Sequence, residues 1–143
     1  MSRRISILII DDEKAIRKLL EKELTLCGFE VYLAKNSRIG LNLANKLVKS
    51  RKPEVILLDW MMPGKDGLDV LSRLKHSVAT EHIPVFMMTS KSKIGDIDRA
   101  YNIGADGYIT KPFKITQMGN IIKTKLQKFS EKKNGEFAVS GII

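Results

Sequence analysis

Five polar residues stand at or directly after the ends of apolar runs, and their types suit phosphoryl chemistry: Asp11, Asp12, Asp59, Thr89 and Lys111. Short apolar runs bounded by polar residues are typical of buried strands. If the strands are parallel, their carboxyl ends meet at one edge of a sheet, and the five side chains meet there as well. Three carboxylates, a hydroxyl and a lysine at one place would suit a divalent cation and a phosphoryl group.

The three carboxylates would repel one another at close range, so without compensation the pKa of one of them should rise. Oxygen ligands favour Mg²⁺, with Mn²⁺ as the other candidate. Because Mg²⁺ takes only one or two carboxylates and a phosphate, a phosphoryl position is left beside Asp59, which could act as a nucleophile and form an acyl phosphate. The cation and Lys111 would stabilise the charge of the transferring group, and Thr89 could donate a hydrogen bond to it.

Each of these residues also has a purely structural explanation. An aspartate after a strand often caps the next helix, so Asp11 or Asp12 could cap the first helix. The Lys-Pro pair at residues 111–112 is a common kind of turn. The occurrence of all five residues, in order, at the ends of four strands favours the chemical interpretation.

The elements that would position these residues alternate along the chain. Apolar residues recur at helical spacing after each predicted strand, which predicts five helices, the first ending at Gly28 and the last carrying Ile115 to Phe129. Five strand–helix pairs imply an α/β fold with a parallel sheet covered on both faces. The flavodoxin-like doubly wound order 2-1-3-4-5 makes the first and third strands neighbours. Strands are predicted at residues 5–10, 30–34, 54–58, 83–88 and 106–109.

The length of 143 residues suits one domain. We place this domain at residues 1–129 and interpret residues 130–143 as a tail or the start of a linker, because they match no further element. The one cysteine, Cys27, falls on the apolar stripe of the first helix and is interpreted as core packing. No apolar run reaches the roughly 18 residues of a membrane span, so a cytoplasmic protein is expected.

The net charge of +9 is unevenly spread. Residues 111–133 hold seven lysines and one acid, Glu131. Such clusters could attract nucleic acid, anionic lipid or an acidic protein surface. Because no base-stacking aromatic residues alternate with the lysines, nucleic-acid binding is not expected, and solvated helix faces are the simpler explanation. A second basic cluster consists of Lys46, Lys49, Arg51 and Lys52.

Together these motifs resemble the receiver domain of two-component response regulators, in the form of a single receiver like the chemotaxis regulators. The resemblance covers roughly residues 5–128. It implies a phosphoacceptor signalling domain rather than an enzyme, with slow self-dephosphorylation. The matching segments are residues 9–13, 57–67, 83–91 and 104–113.

The resemblance implies a role for each residue of the cluster. Asp59 would accept a phosphoryl group from a sensor histidine kinase or a phosphotransfer protein. Asp12 would ligate Mg²⁺ directly, Asp11 would bind it directly or through water, and the Met61 backbone carbonyl would be a further ligand. Lys111 would pair with the phosphate.

The resemblance also implies a switch. Thr89 would move toward the phosphoryl group, the ring of Tyr108 would turn inward, and the Lys111–Pro112 peptide bond would be cis. The face formed by the fourth helix, the fifth strand and the last helix would then bind a partner. Because the lysine-rich segment lies on or beside this face, we expect an acidic partner surface that depends on Lys123 and Lys125.

The tuning positions of the family fall on Met61 and Lys91. An apolar Met61 cannot orient an attacking water by hydrogen bonding, so a long-lived phosphorylated form is expected.

Three other functions are compatible with parts of the sequence. The chain could be the receiver fragment of a longer regulator with a DNA-binding or enzymatic output domain. A metal-dependent phosphatase with an aspartyl-phosphate intermediate usually has a second acid two residues after the nucleophile, where this chain has Met61. A basic nucleic-acid-binding module would bind DNA in a steeply salt-dependent manner without phosphorylation.

Overall fold

The computed structural model describes residues 3–90 and 93–142, and the tuning position Lys91 lies outside them. In the described part of the chain, five strands form the main sheet: β1 Ile5–Ile10, β2 Phe29–Ala34, β3 Val55–Asp59, β4 Val85–Thr89 and β5 Gly107–Thr110. The α-helices are α1 Lys14–Leu26, α2 Ser37–Leu47, α3 Gly67–Lys75, α4 Ile94–Ile103 and α5 Met118–Ile142. Short 3₁₀ turns cover Val48–Ser50 and Ile115–Gln117.

The sheet is parallel throughout and has the order β2-β1-β3-β4-β5. This confirms the predicted flavodoxin-like topology. β1 lies between β2 and β3. The chain adds β2 on one side of β1 and all later strands on the other side, so the strand order reverses at β1. Ligands bind at the carboxyl ends of the strands at such a switch point.

Both faces of the sheet are buried, which explains why the strands read as continuous apolar runs rather than alternating ones. Odd-numbered residues of β1 and β3 face α1 and α5, where Leu20, Leu24 and Ile122 complete one core. Even-numbered residues of the same strands face α2, α3 and α4, where Leu71 and Ala100 belong to the second core. The sheet is therefore fixed from both sides, and its strand ends are rigid supports for a site.

Local residues fix the end of one helix and the start of the next. Gly28 has φ +93°, the left-handed conformation expected after α1. The Asn36 side chain accepts a hydrogen bond from the Ile39 N–H at 2.8 Å and caps α2.

The end of the last helix differs from the prediction. α5 does not end near Phe129 but continues to Ile142, so the expectation that residues 130–143 form no further element is wrong up to that residue. Residues such as Glu131 and Lys132 propagate a helix readily without an apolar stripe. The division of the chain at residue 129 stays a prediction. None of the helices in the described ranges is long and apolar enough to cross a membrane.

Candidate functional site

The carboxyl ends of β1 and β3 bring three acids together. Ile10 pairs with Leu58 across the two strands, so Asp11 and Asp59 leave the sheet side by side. One carboxylate oxygen from each of Asp11, Asp12 and Asp59 lies within 4.8 Å of the others. Asp11 and Asp59 are buried, with 0% and 2% of their surface exposed, whereas Asp12 is half-buried. The three acids thus form a pocket at the predicted sheet edge.

Asp11 is held in place by three hydrogen bonds. Its N–H donates to the Ala34 carbonyl at 3.1 Å, and its Oδ1 accepts from the Glu13 N–H at 2.9 Å. The Arg17 guanidinium donates to the Asp11 carbonyl at 2.8 Å. The other carboxylate oxygen, Oδ2, is buried and accepts no hydrogen bond from the described residues. A buried carboxylate oxygen without a donor is well suited to ligate a cation.

Lys111 stands opposite the acids. Its Nζ donates to Asp59 Oδ1 at 3.3 Å and lies 3.8 Å from Asp11 Oδ2. The backbone of Lys111 is fixed by a 2.8 Å hydrogen bond from its N–H to the Thr89 carbonyl. The Lys111–Pro112 peptide bond is cis. β4 and β5 therefore aim one positive point charge into the acid pocket.

The pocket makes ionisation of its buried carboxyl groups less favourable and raises their pKa values. Burial, together with the Asp11 carboxylate, raises the pKa of Asp59 from its ordinary value of 3.8 to about 7, and Lys111 opposes the rise. Burial also raises the pKa of Asp11, against the hydrogen bond from the Glu13 N–H. A single lysine does not compensate for three close carboxylates. The set of oxygen donors, and the Asp11 Oδ2 that accepts no hydrogen bond from the described residues, both fit a hard divalent cation.

The two residues predicted to form a switch are in contact. Thr89 ends β4 and is buried, and its side chain is hydrogen-bonded to Tyr108 of β5. Burial raises the pKa of Tyr108, while this hydrogen bond opposes the rise. The Tyr108 ring packs edge-on against Trp60, with 6.3 Å between ring centroids and 83° between planes. The buried Trp60 therefore links the strand end of Asp59 to Tyr108, a role that sequence reasoning missed although the residue follows Asp59 directly.

A further missed residue is Gly67, at the start of α3. Its N–H donates to the Trp60 carbonyl at 2.8 Å. A Cβ added there would meet the Asp59 carbonyl oxygen and the Trp60 Cα, both at 2.6 Å. This close approach follows a small antiparallel hairpin that pairs Met61–Met62 with Lys65–Asp66. Met61 itself is 59% exposed, and its N–H donates to Asp59 Oδ1 at 3.3 Å.

The lysine-rich segment does not form one surface. Lys123 donates to the Cys27 carbonyl at 2.8 Å, and its Nζ lies 5.7 Å from the Phe29 ring centroid, on the α1 side of α5. Lys125 instead lies on the side of α5 that faces β5 and α4. The grouping of Lys123 with Lys125 on one partner face is therefore wrong, because residues two apart on a helix point in different directions.

Comparison with known proteins agrees with this geometry. A family model described as the response regulator receiver domain matches residues 7–123. The phosphate regulon transcriptional regulatory protein PhoB of Pseudomonas aeruginosa is 37% identical over 123 residues, which cover 86% of this chain and 52% of that protein. The DNA-binding dual master transcriptional regulator RpaA of Synechocystis is 38% identical over 122 residues, 85% of this chain and 49% of that protein. The chain thus spans about half the length of the curated relatives it matches.

Solved structures are similar over the same part of the chain. A CheY-like response regulator receiver domain protein from Methanospirillum hungatei is 26% identical with a TM-score of 0.76, over 90% of this chain and 98% of that one. The signal receiver domain of a signal transduction histidine kinase from Syntrophus aciditrophicus is 28% identical with a TM-score of 0.72, over 86% of this chain and 90% of that one. The chain therefore belongs to the response regulator receiver domains of two-component systems, signalling domains rather than classical enzymes, as its sequence motifs predicted.

Proposed function

We propose that this receiver domain accepts a phosphoryl group on Asp59 from the phosphohistidine of a sensor kinase or a phosphotransfer protein. The observation that carries the proposal is the buried acid pocket, in which Asp59 lies among Asp11, Asp12 and Lys111. This pocket lies at the switch point of the sheet, at the carboxyl ends of β1 and β3. A cytoplasmic location follows from the proposal, because sensor kinases take their phosphoryl group from ATP.

In the proposed transfer, an Asp59 carboxylate oxygen attacks the phosphorus atom. A new P–O bond forms as the P–N bond to the donor histidine breaks, and the histidine nitrogen keeps the electron pair. The Lys111 ammonium, already 3.3 Å from Asp59 Oδ1, stays close to the negative charge of the group that arrives. The Thr89 hydroxyl lies at the same strand edge and donates to a phosphoryl oxygen.

The residues that would hold the divalent cation are Asp11, Asp12, Asp59 and the Met61 backbone carbonyl. We infer Mg²⁺, with Mn²⁺ as a substitute, from an oxygen-only donor set. Bound there, the cation would neutralise the carboxylates and offset charge on the phosphoryl group. The buried Oδ2 of Asp11, which accepts no hydrogen bond from the described residues, supports the assignment.

Phosphorylation is proposed to act through Thr89 and Tyr108. A Thr89 hydroxyl that turns toward the phosphoryl group gives up its hydrogen bond with Tyr108. The Tyr108 ring, half-buried and packed edge-on to Trp60, then has a different set of favourable positions. This shifts the population of the α4–β5–α5 face toward a form that binds a downstream partner.

Self-dephosphorylation is proposed to be slow. The Met61 side chain beside the pocket is exposed and offers no hydrogen bond to orient an attacking water. Replacing it with asparagine should shorten the half-life of the phosphorylated form, followed by intact mass after removal of the donor. An unchanged half-life in Met61→Asn would contradict this part of the proposal.

The experiment for the proposed function is intact mass after incubation with acetyl phosphate and Mg²⁺. Wild type should gain one phosphoryl mass, about 80 Da, as one covalent acyl phosphate. The gain should vanish in Asp59→Asn and in EDTA. A gain that persists in Asp59→Asn, or no gain with acetyl phosphate and with phosphorylated kinase, would contradict the proposal.

A second candidate function is that of the receiver part of a longer transcriptional regulator. It is favoured by the names of the relatives and by the chain spanning about half of their length. The mass of the protein in extracts of its native source, detected with an antibody to this domain, tests this second candidate, which is compatible with phosphoryl transfer to Asp59. A band of about twice the mass would support the longer regulator.

A further inference from the structure

Arg17, near the start of α1, is directed back toward the end of β1. Its guanidinium donates a 2.8 Å hydrogen bond to the backbone carbonyl of Asp11. The side chain is half-buried, and the ion pairs found among the described residues do not include it. An arginine close to three clustered carboxylates therefore bonds a backbone oxygen instead of a carboxylate.

The helix itself does not favour a cation at this position. Arg17 is the fourth residue of α1, whose first turn begins with Lys14 and contains no acid. A positive charge near the N-terminus of a helix interacts unfavourably with the helix dipole. A hydrogen bond from a charged donor, in contrast, is among the stronger hydrogen bonds in proteins. The contact with Asp11 is thus the favourable interaction by which the structure explains an arginine here.

The two cations near the acid pocket approach Asp11 from different sides. The Lys111 ammonium lies 3.8 Å from the Asp11 carboxylate, whereas Arg17 reaches the backbone carbonyl of the same residue. After burial and the hydrogen bond from the Glu13 N–H, the charges that most affect the pKa of Asp11 are those of Lys111, Asp12 and Glu13. Lys111 therefore acts on the carboxylate, and Arg17 acts on the backbone.

The backbone that Arg17 holds is the peptide between Asp11 and Asp12. The Asp11 side chain is fixed independently, because its Oδ1 accepts from the Glu13 N–H at 2.9 Å. The half-buried Asp12 carboxylate has no hydrogen-bond partner within the described part of the chain, so its position depends on its own backbone. Since a peptide unit is planar, the Asp11 carbonyl determines where the Asp12 Cα lies.

We propose that Arg17 is a positioning residue for the metal ligand Asp12, and that it thereby sets the affinity of the acid pocket for its divalent cation. The inference rests on the proposed function, since it concerns the cation inferred for the same pocket. Rotation of the Asp11–Asp12 peptide would displace one of three carboxylates whose oxygens lie within 4.8 Å of one another. Mg²⁺ tolerates such a displacement poorly, because it demands near-ideal octahedral geometry.

The Kd for Mg²⁺, measured by isothermal titration calorimetry on the full unphosphorylated chain, tests this inference. Arg17→Met removes the donor and should weaken Mg²⁺ binding about tenfold or more, the loss typical when a residue that orients a metal ligand is replaced. Coulomb forces alone predict the opposite sign, because loss of a nearby positive charge would tighten the binding of a cation. Equal or tighter binding in Arg17→Met would therefore overturn the proposal.

The matched control is Lys18→Met, which removes an equal charge from the exposed neighbour of Arg17 on α1. It should leave the Kd for Mg²⁺ unchanged or slightly lowered. Arg17→Lys, which retains a charged donor on a flexible stem, should lose less affinity than Arg17→Met. An equal weakening of Mg²⁺ binding in Lys18→Met and Arg17→Met would overturn the proposal.

Circular dichroism and urea unfolding in EDTA show whether each variant is folded before the titration. If Arg17→Met does not fold, Arg17→Gln takes its place and should also bind Mg²⁺ more weakly than wild type. A folded variant that has lost stability but binds Mg²⁺ as tightly as wild type would show that Arg17 supports the fold alone. That result would overturn the proposal, as would a wild type that binds no Mg²⁺.

Intact mass after incubation with acetyl phosphate and Mg²⁺, or with phosphorylated kinase, keeps the two proposals apart. Weaker Mg²⁺ binding in Arg17→Met, together with a wild type that gains no phosphoryl mass, would refute the role of Asp59 and leave that of Arg17 standing. A wild type that is phosphorylated on Asp59, together with an Arg17→Met chain of unchanged Mg²⁺ affinity, would do the reverse.

Discussion

Neutralising Asp59 should stabilise the metal-free protein, and should do so more at high pH than at low pH. In the folded chain the carboxyl of Asp59 keeps its proton up to about pH 7, whereas its ordinary pKa is 3.8. The folded state thus binds more protons than the unfolded state between these values. The free energy of unfolding therefore falls as pH rises from about 4 to about 7, and it stays lowered above that range.

The size of the effect follows from the rise in pKa. At about 1.4 kcal/mol per pKa unit, an increase from 3.8 to about 7 destabilises the ionised protein by at most about 4 kcal/mol. Asp59→Asn removes this charge at every pH. Between pH 5 and pH 8, the difference in stability between Asp59→Asn and wild type should grow by about 2–3 kcal/mol. Asp59→Asn also removes the ion pair between Lys111 and Asp59, which reduces the gain in stability, so this value is an upper limit.

Urea unfolding followed by circular dichroism at pH 5 and pH 8, in EDTA, measures this difference. Glu21→Gln, which neutralises an exposed carboxylate on α1, is the control and should leave stability nearly unchanged at both pH values. Mg²⁺ should restore wild type, by about 2.7 kcal/mol at one hundred times its dissociation constant, and leave Asp59→Asn unaffected. A stability difference that does not change with pH, or an Asp59→Asn protein less stable than wild type at pH 8, would refute the account of the pocket.

Three further predictions concern the backbone beside Asp59, an ion pair at the amino-terminal ends of β4 and β5, and Trp60. Gly67→Ala should destabilise the fold by about 2 kcal/mol and slow phosphorylation in the intact-mass assay, because the added Cβ would meet backbone atoms at 2.6 Å. The control Gly95→Ala, at a position with open space around it, should do neither. Lys75→Met should cost about 3 kcal/mol in urea unfolding, because it breaks a 2.7 Å ion pair with Asp106 in which Lys75 is 11% exposed; adding Asp106→Asn should recover part of the loss. The emission of Trp60, the one tryptophan, should change when Mg²⁺ is titrated into EDTA-treated protein; calorimetrically detected binding without an emission change would contradict its placement.

The fold could be predicted because two sequence patterns indicate it: continuous apolar runs for the strands, and apolar residues at helical spacing between them. Runs such as those of β1 and β3 are apolar on both faces only when helices cover both sides of a parallel sheet. Strand–helix alternation then leaves few right-handed topologies. The placement of Asp11 beside Asp59 follows from that topology, and the register of Ile10 with Leu58 bears it out.

What the sequence did not reveal depends on distances that a linear pattern does not contain. A glycine is needed at position 67 because the start of α3 approaches the Asp59 carbonyl closely. The sequence around Gly67 does not reveal how close these backbone segments come. The lysines of residues 111–133 look like one cluster, but helical geometry sends Lys123 toward Phe29 and Lys125 toward β5. Charge counted along the chain is therefore a poor guide to a charged surface, because one helix distributes it over several faces.

One strand joins the predicted switch to the acid pocket. Tyr108 lies on β5, where it is hydrogen-bonded with Thr89, and Lys111, directly after the strand, reaches Asp59. A partner that orders Tyr108 thus acts on the same short segment that places the Lys111 ammonium in the acid pocket. If phosphorylation tightens the binding of such a partner by some factor, the partner must stabilise the phosphorylated form by the same factor. The partner should therefore raise the yield of phosphorylated chain at equilibrium with a phosphodonor. A partner that binds both forms equally would have its contacts outside the α4–β5–α5 face.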